Sequence, residues 1–138
     1  MRALRRADLP DEHYSPFLNF IGIEEGLSEN GVGSVSLEIR PHHLQAAGQV
    51  HGGLMAVLVD TAFFRAVRSI MSAEQRTTTI ELKVNFLESA NSGRLTATAR
   101  IISNRDRLTV ADVEVTSDDG RLVAQGLGTF LIIGSGGD

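Results

Sequence analysis

One apolar run fixes most of what this chain can fold into. Between Gly53 and Met71 only Asp60, Arg65 and Arg68 carry charge. The run is too regular for a loop and too long for a strand, so it predicts a helix. Its three charges make it a poor membrane span. It is apolar nearly all round until Arg65, so the helix must be covered on most sides. The rest of the chain has to supply that cover. Ahead of it, residues 21–39 read as two short strands around the turn signal Glu29-Asn30-Gly31, with Val35, Leu37 and Ile39 alternating. Pro41 then opens a loop that lasts to about Val50. Behind the helix come four strands. Residues 77–87 alternate, with Ile80, Leu82, Val84 and Phe86 on one face. Asn91-Ser92-Gly93 turns into 94–103, Asn104-Arg105-Asp106 into 107–117, and Asp118-Asp119-Gly120 into 121–133. Such closely spaced turns suggest an antiparallel meander. One helix covered on most sides needs a sheet that curls around it, so the fold class is α+β.

The chain's 138 residues fit a single domain. The expected organisation is a solvated leader over 1–12, one domain over 13–133, and a flexible Gly-Ser-Gly-Gly-Asp tail over 134–138. Arg2, Arg5 and Arg6 crowd the leader, but no apolar segment follows to make a targeting signal, so the expected location is the cytoplasm. Thirteen basic against 17 acidic side chains give a net charge of -4, which argues against nucleic acid as a partner. Without cysteine there is neither disulfide nor thiolate chemistry. His13, His42, His43 and His51 show no metal-ligand spacing, so neither metal nor cofactor is expected. The pair His42-His43 reads as a solvated loop feature.

Asp60 is the anomaly. A carboxylate amid Val57, Leu58, Val59, Phe63 and Phe64 is costly to bury without a partner. It lies about two turns inside the helix, too far in to cap it, and positions i+3 and i+4 are the two phenylalanines. Either it faces water on an exposed stripe, or it marks a site. At the start of the same helix stands His51-Gly52-Gly53. Free backbone N–H groups and the positive dipole end meet there, and glycine lets a carbonyl approach closely. That suits an oxyanion-binding site, though a Gly-Gly pair is also a common loop-to-helix joint. Asp60 lies roughly 12 Å along the axis from Gly52. Two groups acting on one carbonyl must both come within about 3 to 3.5 Å of it. Either the two features are unrelated, or a second copy of the helix supplies the missing half.

The stretch from Gln45 through His51-Gly52-Gly53 to Asp60 resembles the signature of PaaI-type hot-dog-fold acyl-CoA thioesterases. The similarity continues through Thr77 to Leu87 and Leu122 to Phe130, and spans roughly residues 17–133. The resemblance implies a curved antiparallel sheet wrapped around one long central helix. It implies dimers joined edge to edge, often paired into homotetramers, with sites between subunits. In such enzymes the N–H of the residue matching Gly52 polarises the thioester carbonyl, and the amide matching Gln45 assists. The acid matching Asp60, from the neighbouring subunit, acts as general base or nucleophile. His51 matches an orienting residue, and Thr79 a position where some members place a hydroxyl near the attacking water. Many members carry Asn in place of Gln45, and relatives that use Gln usually pair it with Glu, so the Gln45/Asp60 pair is mixed. Ser89 stands where a proline is frequent.

The expected function is hydrolysis of an acyl thioester to free acid and carrier thiol, the carrier being CoA or an acyl carrier protein. No membrane partner is expected. Gly53, Leu54, Phe63 and Phe64 are candidates for the acyl pocket, and Arg105 and Arg107 for the CoA phosphates. A non-catalytic acyl-CoA-binding module is the alternative. A hydratase or dehydratase fits less well, because that chemistry pairs an acid with a histidine and none follows Asp60.

Overall fold

The computed structural model describes residues 15–135. Helix α1 (Pro16–Ile21) leads into strands β1 (Ile23–Glu29) and β2 (Val32–Glu38), a 3-10 turn (Pro41–His43) and the long helix α2 (Gly52–Arg68). Strands β3 (Arg76–Phe86), β4 (Arg94–Arg105), β5 (Leu108–Ser117) and β6 (Leu122–Ile133) follow. All six strands form one antiparallel sheet in the order β1-β2-β4-β5-β6-β3, and α2 packs against every one of them. This is the α+β arrangement of a sheet around one central helix. The leader expected over 1–12 lies outside the described residues, as does the end of the tail, 136–138. Among the described residues no helix is long and apolar enough to cross a membrane.

The helix sits close to the sheet because the facing strands carry small residues. Ala97 and Ala99 on β4 and Ala111 on β5 are fully buried beneath it. At Gly33 on β2, a Cβ would fall 2.2 Å from the Ala66 amide nitrogen, so only glycine permits this approach. Leu58, Val59, Ala62, Phe63, Ala66 and Val67 of α2 fill the core with no exposed surface. Gly53 and Phe64 are exposed, and Ala56, Val57 and Asp60 only half-buried. The helix is therefore covered on three sides, with one open stripe.

Three features correct the sequence reading. The meander holds only for β4, β5 and β6. β3 pairs with β6 at the sheet edge, and β2 takes the place beside β4. The connection after β3 does not turn back as a hairpin. Leu87 and Glu88 donate to Val123 O, Ala90 O accepts from Val50, and Gly93 O accepts from Ile39, so the segment straps across the start of α2 from one flank of the sheet to the other. A β-bulge also interrupts β3. Thr79 pairs with Phe130 and Glu81 with Thr129, leaving Ile80 without a partner. The extra residue reverses the alternation, so Ile80 is 55% exposed while Leu82 and Val84 pack on the core. Finally, α1 was not anticipated. Ser15 caps it, Pro16 stands in its first turn, and Gly22 closes it at a left-handed φ of 84°.

Candidate active site

The loop before α2 is held by a buried histidine. His43, expected to be solvated, is only 5% exposed. Its Nε2 bonds Ile21 O at 2.8 Å, its Nδ1 accepts from the Arg40 amide at 2.9 Å, and its carbonyl accepts from the His51 amide at 2.9 Å. The ring thus replaces water with two backbone partners, which is what permits its burial. Beyond it the chain makes a tight turn. Gln45 N donates to Gln49 O, Gly48 N donates to Gln45 O, and Leu44 bridges Val50. The Gln45 side-chain carbonyl accepts from the Ala47 amide. Its NH2 group has no acceptor among the described residues and remains available as a donor.

His51 caps α2 and settles which amide stays free. Its Nδ1 accepts from Gly53 N at 2.9 Å, and its carbonyl accepts from Leu54 N and Met55 N. Gly52 N alone in this first turn finds no acceptor among the described residues. An orphan N–H at a helix start, with the dipole behind it, is ready to receive a developing negative charge. A Cβ on Gly52 would sit 3.4 Å from the Phe86 ring. Gln45, Gly52, Met55 and Phe86 line one cleft of about 370 Å³.

Asp60 is half-buried on the open stripe of α2, and it is not alone. The Thr79 hydroxyl donates to its Oδ1 at 2.6 Å. The bulge at Ile80 is what makes this pair. Uninterrupted alternation sets Thr79 on the face opposite Leu82, whereas the extra residue turns both toward the helix. Oδ2 of Asp60 has no partner among the described residues and is free to accept a hydrogen bond. Val57, Asp60, Phe64, Thr77, Thr79 and Phe130 line a second cleft, of about 390 Å³, which Ser15, Phe17 and Leu18 also border.

The structure thus groups the expected residues into two sets. Gln45 and Gly52 share one cleft, with His51 ordering its amides; Asp60, Thr79 and Phe64 share the other. Within one chain the two sets do not meet in one cleft. Leu54 and Phe63 line neither cleft. They are 9% and 0% exposed and belong to the core, Phe63 stacking on Phe130 with ring centroids 4.1 Å apart. Phe64, one residue on, is rotated by about 100° around the helix and reaches the cleft. Gly53 is exposed, its amide taken by His51. Arg105 and Arg107 lie exposed at the β4–β5 turn, Arg107 with a left-handed φ of 69°, and line neither cleft. Sequence reasoning missed Phe17, Leu18 and Phe130. The Ser15-Pro16 pair, a cap followed by a first-turn proline, was the signal that could have revealed α1.

Residues 47–124 match the Thioesterase superfamily. A candidate esterase of Saccharolobus solfataricus is 34% identical over 114 residues, covering 83% of this chain and 75% of the relative. The 1,4-dihydroxy-2-naphthoyl-CoA hydrolase of Listeria monocytogenes is 29% identical over 103 residues, covering 75% of this chain and 84% of the relative. Among solved structures, a variant of the phenylacetic acid degradation protein PaaI from Thermus thermophilus superposes with a TM-score of 0.77 at 28% identity. That match covers 85% of this chain and 98% of the other. Its fold and its sequence agree: the chain is a thioester hydrolase that belongs to the thioesterase superfamily.

Proposed function

We propose that the chain hydrolyses acyl-CoA thioesters at a site shared by two copies. Gly52 N–H and the Gln45 amide of one copy polarise the thioester carbonyl. Asp60 of the other, held by Thr79, draws a proton from water as it attacks that carbonyl, or attacks it directly. The tetrahedral intermediate then expels the CoA thiolate, which takes up a proton. Water attack gives the free acid at once, whereas direct attack leaves a mixed anhydride on Asp60. A water molecule hydrolyses that anhydride, releasing the acid and restoring the carboxylate. The observation that carries this reading is the separation of the two residue sets into different clefts, with one free amide in the first and a carboxylate with a free oxygen in the second.

The geometry of β3 supports a two-copy site. β3 ends the sheet, so one of its edges has no neighbour among the described residues, and it carries Thr79 near one end and Phe86, beside Gly52, at the other. A two-fold axis near Leu82 pairs the strand with its copy antiparallel. The Thr79 end of one copy then meets the Phe86 end of the other. Exposed Ile80 and Phe86, at 55% and 59%, gain burial in that arrangement. A thiol-release assay over a panel of acyl-CoA thioesters tests the reaction. Asp60→Asn is expected to lower kcat by about 10²–10⁴-fold, the range for losing a general base. Wild-type turnover persisting in Asp60→Asn refutes the catalytic role, and no release from any thioester leaves the binding-module reading.

A further inference from the structure

The Asp60 cleft has one border that neither α2 nor the sheet supplies. Ser15, Phe17 and Leu18 reach it from α1 and its cap. None of the helix's residues is buried. Its C-terminal end is well held: Gly22 N donates to Leu18 O at 3.0 Å, and His43 bonds Ile21 O. Leu18 and Ile21 rest against the core. Phe17 does not belong to that core. It remains 56% exposed, and it shares the cleft with Val57, Phe64 and Phe130. A large apolar ring that contributes little to the core, yet lines a cavity with other apolar groups, is placed for a ligand rather than for folding.

The polar and apolar parts of the cleft divide the work. Asp60 and Thr79 mark where the reacting carbonyl must lie, with Thr77 two residues along the same strand. Phe17, Leu18, Val57, Phe64 and Phe130 are the apolar surface left for the acyl group. Of these, Val57 and Phe64 are fixed on α2 and Phe130 is locked by its stack on Phe63. Leu18 rests against the core, so Phe17, on the same short helix, is the border outside α2 and the sheet that can differ in size without disturbing the core.

We infer that Phe17 is a specificity-determining residue: it closes the apolar part of the Asp60 cleft and sets the longest acyl group accepted. The inference rests on the thioesterase reading of that cleft. In the wild type, kcat/KM should rise about fourfold for each added methylene that finds apolar cover, then stop rising when the chain end meets the ring. Phe17→Ala moves this break to longer chains, raising the ratio of kcat/KM beyond the old break to that before it by about 10-fold or more. Phe17→Trp moves it to shorter chains. Phe20→Ala is the control, since Phe20 is 83% exposed and borders neither cleft; its profile should match the wild type.

The experiment measures a straight-chain acyl-CoA series by thiol release, with calorimetric binding of the matching free acids to the same proteins. Breaks that move in opposite directions in the Ala and Trp variants support the inference. An unmoved break, or a parallel fall at every chain length, overturns it. If the wild type releases thiol from no thioester, the thioesterase reading fails, and the free-acid series still decides whether Phe17 limits chain length.

Discussion

The two-copy site makes a quantitative prediction about mixtures of inactive variants. Asp60 is eight residues along α2 from Gly52, roughly 12 Å of axial rise, and the two line different clefts. In the proposed two-copy site each chain carries the donor half of one site and the acid half of another. Asp60→Ala destroys the acid half and keeps the donors. Gln45→Ala weakens the donor half by about 10²-fold, the lower range for one oxyanion donor, and keeps the acid. Neither substitution touches the core, since Gln45 and Asp60 are both only half-buried. Mixed in denaturant and refolded together, the two variants pair at random and half of the dimers are mixed. Each mixed dimer has one intact site and one doubly damaged site. Recovery should then approach about a quarter of wild-type activity per mole of chain, given a two-fold interface and independent sites. Thiol release reports the activity, and differently tagged chains with native mass spectrometry verify the mixed dimers. Verified mixed dimers with no rescue would show that Gln45 and Asp60 do not meet across an interface.

Four further substitutions separate chemistry from architecture. Thr79→Val removes the hydroxyl bonded to Asp60 and should lower kcat about 10- to 100-fold, the worth of a hydrogen bond to a charged group, with an unchanged melting temperature; an unchanged kcat means the hydroxyl only fills space. His43→Ala loses bonds to Ile21 O and Arg40 N, so chemical denaturation should show a loss of about 1–3 kcal/mol, and a loss near zero means water takes the place of the ring. Phe63→Ala should cost about 3–5 kcal/mol of stability, whereas Phe64→Ala should leave stability within about 1 kcal/mol and alter KM. Equal effects of the two on unfolding would contradict the division between core and cleft.

Local chemistry, read along the chain, determined the frame. The apolar period of Gly53 to Met71 required one covered helix, which spans Gly52–Arg68. The turn signals at Asn30-Gly31, Asp106 and Gly120 lie where the chain turns, each with positive φ, because such conformations depend on the residue itself. Gly52 and Asp60 stood out as candidates for the same reason: a glycine before a helix and an acid among apolar neighbours are visible one residue at a time, whereas Gln45 became a candidate only through the family resemblance. Tertiary structure decided the rest. Alternation alone puts Thr79 on the wrong face, because a bulge arises from how β3 registers on β6, two segments far apart in sequence. His43 reads as a solvated loop residue until Ile21 O and Arg40 N come within reach, and Phe63 reads like Phe64 until packing orients the helix. The strand order that moves β3 to the edge was equally invisible, because it depends on where the strap after β3 finds its backbone partners. Periodicity and turn chemistry act within a few residues, while register, burial and edge position are settled by competition between segments the sequence holds apart.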